Sequence, residues 1–195
     1  RYLQVTGGLI TRDDLRAYAV VERTPLEVRF RGMTVLTNPP PSSGGTLIAA
    51  ALHHLGADGP ASDDEGFYVR LARAGAAANA LRGPGFDSAL SDDDFLDRFW
   101  AALSAGEASG LPPSRKPTGT THVSAIDAEG GMASLSSSNG SGSGVVVPGT
   151  GVMLNNMLGE SDLNPGGFGL LPAGARMTSM MAPTLIVDGD RPVAC

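Results

Sequence analysis

Gly119-Thr120-Thr121-His122-Val123-Ser124-Ala125-Ile126-Asp127 is the stretch on which the reading of this chain turns. A run rich in Gly, Pro and Ser stops there, and an alternating strand pattern begins with two threonines. Read locally, this is an exposed strand with Thr and Ser on its polar face. It has a second reading. If the peptide bond before Thr120 is cut, one residue carries both a nucleophile, the hydroxyl, and a base, the freed α-amine. Such an amine has an unperturbed pKa of about 7.7 to 8.0, so it accepts a proton near neutral pH.

Working outward, the residues after Ile126 continue as β structure. Asp127-Ala128-Glu129-Gly130-Gly131 reads as a turn and Met132–Leu135 as the returning strand. Ser136–Gly144 reads as a loop, either a flexible linker by composition or the hydroxyl-rich wall of a polar site. Val145-Val146-Val147 reads as a buried strand. On the other side, Gly106–Gly119 is predicted to be a mobile connector.

Further upstream, Thr11-Arg12-Asp13-Asp14 predicts a capped helix start. Leu26, Val28 and Phe30, a turn at Arg31-Gly32, and Met33–Leu36 predict a β-hairpin. After Pro39-Pro40-Pro41-Ser42-Ser43-Gly44-Gly45 a helix is expected, with Leu47, Ile48, Ala51, Leu52 and Leu55 on its apolar stripe. His53 and His54 at its end read as terminal polar residues rather than metal ligands. Ser62-Asp63-Asp64-Glu65 reads as a capping box before an Ala-rich helix that runs toward Arg82 and stops at Gly83-Pro84. Ser91 with Asp92, Asp93 and Asp94 starts another helix that turns Phe95, Phe99 and Leu103 inward.

The bulk properties exclude several classes. A chain of 195 residues with a formal charge of −6 and no basic block is a poor match for nucleic acid or an anionic membrane. No apolar run is long enough to span a bilayer. The single cysteine, Cys195, allows no internal disulfide, and with no conspicuous His/carboxylate cluster no metal site is expected. The chain starts at Arg1 without an initiator Met and stops at Cys195 just where an apolar strand begins, so it is expected to be part of a longer protein.

Taken in order, Gly7-Gly8-Leu9-Ile10-Thr11, Glu22-Arg23-Thr24-Pro25-Leu26, the PPPSSGG run at 39–45, Thr120-Thr121-His122-Val123-Ser124, Gly149–Asn156 and Met181-Ala182-Pro183-Thr184 resemble the γ-glutamyltranspeptidase family of N-terminal-nucleophile hydrolases. The resemblance covers nearly the whole chain and is weakest over 57–111. It implies an α+β fold, the four-layer αββα sandwich of that superfamily, of which this chain is a part. It implies a precursor that cuts itself between Gly119 and Thr120. Residues 1–119 would then be the C-terminal part of the large-subunit region and 120–195 the N-terminal part of the small, catalytic one, together forming one domain.

The implied activity is γ-glutamyl transfer or hydrolysis on glutathione-like amides, with water, an amino acid or a peptide as acceptor and no cofactor. The implied setting is periplasmic or extracellular. Thr120 matches the nucleophile, with Thr121 and His122 beside it. His122 is expected on the same strand face as Thr120. Ser138 matches a supporting hydroxyl and Asn139 a substrate-binding amide. Glu160 matches the acid that holds the substrate α-amine, and Ser179-Met180 a run that normally touches its carboxylate. The chain departs from that pattern at Met157 and Met180, where polar residues are usual, and in a shorter Ser136–Gly144 segment. These departures leave room for an amide acylase of the same fold, or for a non-catalytic structural fragment. The family's early arginine and its oxyanion-hole glycines would lie outside this chain. Loss of one oxyanion donor costs roughly 100- to 1,000-fold in rate, so the chain alone is expected to be inactive.

Overall fold

The structure is a computed structural model that describes residues 2–56, 65–83, 85–105, 120–161, 163–164 and 167–195. Two short helices, α1 (Tyr2–Val5) and α2 (Arg12–Ala17), open the chain. The Thr11 cap forms as a full capping box. Asp14 N–H donates to Thr11 Oγ1 at 3.2 Å, and Thr11 N–H and hydroxyl both reach Asp14 Oδ2 at 2.7 Å. The backbone bond first and the hydroxyl second hold the Asp14 carboxyl below the ordinary aspartate range. A depressed folded-state pKa stabilises above the unfolded value, and that contribution is lost as pH falls through the folded one. Thr11→Ala is expected to move Asp14 titration upward, as followed by carboxyl NMR. An unchanged titration would contradict the cap.

The predicted hairpin is β1 (Leu26–Phe30) paired antiparallel with β2 (Met33–Thr37). Arg31 and Gly32 take φ of 52° and 80°, the two positive values that a two-residue turn requires to match strand twist. Helix α3 (Ser43–Leu55) follows, then α4 (Glu65–Ala80), α5 (Phe86–Ala89) and α6 (Phe95–Ala105). The capping residues Ser62–Asp64, the stop at Pro84 and the connector Gly106–Gly119 lie outside the described residues. The acids precede α6 as predicted, and two of them also pair with Arg98, Asp92 at 2.6 Å and Asp94 at 3.2 Å.

Strands β3 (Thr120–Ile126) and β4 (Met132–Ser138) form a two-stranded antiparallel sheet. A short 3₁₀ turn at Met157–Gly159 precedes β5 (Leu185–Asp188) and β6 (Arg191–Ala194). These last two complete an antiparallel sheet of order β1-β2-β5-β6. Residues far apart in sequence thus meet: β2 pairs with β5 through Leu36↔Leu185 and Val35↔Ile186.

The core explains why α3 is central. Ala49 and Ala50 are fully buried on it, Ala49 against Leu26, Val28 and Val35 of the sheet, Ala50 against Ala78, Leu90, Phe95, Phe99 and Leu103 of the helices. Leu96 and Trp100 touch both groups, so helix layer and sheet share one interior. Of the expected stripe, Leu47 is buried and Ala51 and Leu52 pack against the core, but the most deeply buried apolar positions are the alanine pair, because a helix pressed between a sheet and other helices leaves room only for small side chains there. Ala74, Ala78 and Ala80 of α4 are buried in the same way. No helix among the described residues is long and apolar enough to cross a membrane.

Two readings downstream of β4 need correction. Ser136, Ser137 and Ser138 are strand, not loop, because β4 runs on to pair Ser138 with Thr120. Val145–Val147 is not a buried strand. Val145 is 38% and Val146 47% exposed, and the segment makes one isolated bridge, Val146↔Met153. A three-residue apolar run does not say which layer covers it, and here Val145 and Val146 stay exposed.

Candidate active site

The antiparallel register sets the site. Thr120 lies opposite Ser138, His122 opposite Ser136 and Ser124 opposite Ser134. With a side-chain period of two, all six share one face. Thr120 Oγ1 donates to Ser138 Oγ at 3.2 Å, and the Gly140 N–H also donates to Ser138 Oγ, at 3.1 Å. Ser138 is thereby fixed from the loop side while it receives the threonine hydroxyl. His122 is held at both ring nitrogens: Nδ1 lies 2.8 Å from Ser136 Oγ, and Nε2 lies 3.0 Å from Ser124 Oγ and 3.4 Å from Ser134 Oγ. Every partner of the imidazole is a hydroxyl, able to donate or accept. Thr121, opposite Ser137, falls on the other face of the sheet. Gly119 lies outside the described residues.

Beyond Ser138 the chain does not run free as a linker would. Asn139 Nδ2 donates to Met153 O at 3.3 Å, and the Asn139 carbonyl accepts Gly142 N–H at 3.0 Å and Asn156 N–H at 3.4 Å. Ser143 N–H and Leu154 N–H then bond across the gap, each at 2.9 Å. Glu160 is buried, and its Oε1 accepts the Ser141 N–H at 2.8 Å. Asn164 anchors that corner by donating its amide to Glu160 O at 2.8 Å and Met157 O at 3.0 Å. Gly140, at φ 60°, packs so closely that a Cβ would overlap Glu160 Oε1 and Asn156 Oδ1. The Asn156 Oδ1 is shielded from solvent and has no hydrogen-bond donor among the described residues. Two acceptors, a carboxylate and an amide oxygen, thus converge on one backbone glycine.

Ser179 and Met180 sit on the N-terminus of α3. Ser179 Oγ accepts the Met181 N–H at 3.0 Å, which leaves the hydroxyl hydrogen for another acceptor. Met180 Sδ accepts from Ser43 Oγ at 3.1 Å. No hydrogen bond among the described residues joins this pair to the Thr120–Glu160 group. Three participants were not singled out from sequence: Asn156, Asn164 and Ser43. Asn156 stood in the quoted LNN run, but its orphaned oxygen depends on the fold of a segment 16 residues from Gly140. Ser43 stood in the PPPSSGG run, where a serine before a helix reads only as a cap.

Comparison with known proteins fits this geometry. The chain is 31% identical over 228 residues to the glutathione hydrolase proenzyme of Escherichia coli (strain K12), covering 96% of this chain and 38% of that protein. It is 32% identical over 216 residues to the acylase ACY 1 proenzyme of Pseudomonas sp. (strain V22), covering 97% of this chain and 37% of that one. The chain thus spans well under half the length of these relatives. Among solved structures, cephalosporin acylase from Bacillus halodurans superposes with a TM-score of 0.70 at 24% identity, over 98% of this chain and 37% of that one. The fold is therefore the α+β fold of that acylase, represented here by a part of it. The family described as Gamma-glutamyltranspeptidase matches residues 1–195, and the chain belongs to it.

Proposed function

We propose that the protein to which this chain belongs is a self-processing amide hydrolase and acyltransferase acting on γ-glutamyl amides, with Thr120 as nucleophile. The observation that carries the reading is the Thr120 Oγ1–Ser138 Oγ bond at the first residue of β3, in a chain of this family. In maturation the Thr120 hydroxyl adds to the Gly119 carbonyl, the Gly119–Thr120 C–N bond breaks, and water hydrolyses the resulting ester. Breaking the C–N bond frees the Thr120 α-amine, and hydrolysis of the ester returns the Thr120 hydroxyl. In turnover this amine takes the Oγ proton as Oγ attacks the γ-amide carbon, and passes it to the departing amine. Water or an amino acid then takes the acyl group. Ser138 orients the hydroxyl, and His122 keeps the polar face of β3 in place through its three serine partners. The remaining parts of the same precursor complete the site, and no cofactor is needed because nucleophile and base share one residue.

Two features support recognition of a glutamyl head. The acceptors Glu160 and Asn156 suit an ammonium group, and the free hydrogen of Ser179 suits a carboxylate. An amide acylase with a different acyl group is the second reading, favoured by the apolar Met157 and Met180 and by the engagement of Glu160 Oε1 with the loop. These features predict that γ-glutamyl substrates bind weakly, because polar contacts are replaced and part of the carboxylate is already committed. Steady-state kinetics on a chromogenic γ-glutamyl anilide should give turnover with a KM that is high for the family. Saturation by glutathione in the low micromolar range would contradict the weak grip, and absence of any amide hydrolysis by the mature full-length protein would contradict the function.

A further inference from the structure

We propose that Ser43 is a positioning residue for the acyl-binding wall at Ser179–Met181, an inference that rests on the reading of Ser179 and Met180 as substrate contacts. The segment around Met180 has no regular secondary structure of its own apart from a single parallel bridge, Ser42↔Ser179. What fixes it is the N-terminus of α3. The Ser179 carbonyl accepts from Ser42 Oγ at 3.3 Å, Ser43 Oγ at 3.1 Å and Gly44 N–H at 3.3 Å, and the Met181 carbonyl accepts from Ser42 Oγ at 3.0 Å. Gly44 has no Cβ because one would overlap the Met180 carbonyl oxygen.

Both serines hold this segment, but only one of them also caps the helix. Ser42 is the helix cap, its Oγ accepting Gly45 N–H at 3.3 Å and its carbonyl taking the Thr46 hydroxyl at 3.0 Å. Ser43 is not needed for the cap. Its hydroxyl, buried to 2% exposure, is shared between Ser179 O and Met180 Sδ. Met180 is 45% exposed, and its side chain has three rotatable bonds to fix. Ser43 thus sets both the backbone and the side chain that face the acyl group. Ser43 and Met180 lie on opposite sides of the Gly119–Thr120 bond, so after self-cleavage this contact joins two chains.

The test is Ser43→Ala, Met180→Ala and the double variant in the full-length protein, with steady-state kinetics on a chromogenic γ-glutamyl anilide and gel analysis of maturation. Ser43→Ala is expected to mature normally and to raise KM about tenfold, the factor that one lost hydrogen bond commands, with kcat within about twofold. In the Met180→Ala background the same change should raise KM less than about threefold, since part of its target is gone. An unchanged KM in Ser43→Ala, a loss in kcat and maturation together, or full additivity in the double variant would each overturn the inference. These outcomes are separate from failure of the underlying reading of Met180 as a substrate contact, which would show as an unchanged KM in Met180→Ala alone.

Discussion

Thr120→Ala in the full-length protein is expected to leave a single uncut polypeptide with no amide hydrolysis. The hydroxyl is the one group that the proposal uses twice, first on the Gly119 carbonyl and then on substrate. Removal of a hydrolase nucleophile costs ~10⁴- to 10⁶-fold in turnover, far more than any neighbouring contact. Ser138→Ala gives the scale of the difference. It takes away the partner of Thr120 at 3.2 Å but leaves the nucleophile, so a loss of about 10- to 100-fold is expected. Thr120→Ser keeps the hydroxyl and should still cleave. Normal maturation of Thr120→Ala, seen as two bands on a denaturing gel, would refute the role assigned to this side chain.

Gly45→Ala is expected to destabilise the fold, by about 1 to 2 kcal/mol, against the usual preference of helices for alanine. In an open helix interior the change gains up to about 1 kcal/mol. At position 45, however, a Cβ would overlap the Asn38 carbonyl oxygen and lie 2.9 Å from its carbon and 3.1 Å from the Asn38 nitrogen. All three are backbone atoms beneath a buried helix start and cannot swing aside, so strain of about 1 to 3 kcal/mol or more outweighs the gain. Gly75 supplies the control. It lies inside α4 with nothing within 4 Å of its Cβ position, so Gly75→Ala should stabilise by about 0.4 to 1 kcal/mol. Thermal melts of the two variants should move in opposite directions. A raised melting temperature for Gly45→Ala would show that Asn38 and α3 are not in close contact.

Much of the fold was legible because local rules and tertiary packing agree. The Thr11 cap, the Arg31-Gly32 hairpin and the inward Phe95, Phe99 and Leu103 each follow from a short-range pattern, and the structure has all three. Where a partner comes from far away, pattern reading failed. Ser136–Ser138 has the composition of a loop, and it becomes strand only because β3 offers Thr120, Thr121 and His122 as partners. Val145–Val147 has the composition of a strand, yet its surroundings leave it half-exposed. Beside the expected Leu47, the buried face of α3 takes in Ala49 and Ala50, because two layers press on that helix, which its own periodicity does not encode.

The candidate site divides in the same way. That Thr120 and His122 share a face follows from the period of a strand, and the register then brings Ser138 to Thr120. The tether from Glu160 to Ser141, the orphaned oxygen of Asn156 and the grip of Ser43 on Met180 all join residues separated by 16 to 137 positions. No spacing rule reaches across such distances. The proposed cut itself rests on family membership and on the chemistry of a terminal threonine, since Gly119 lies outside the described residues.

The most direct measurement is intact mass and N-terminal sequencing of the mature full-length protein, paired with an amide-hydrolysis assay on the same sample. The account predicts two polypeptides, one of which begins Thr-Thr-His at Thr120. A single uncut polypeptide that hydrolyses amides would contradict it, because its α-amine at Thr120 would still be locked in a peptide bond.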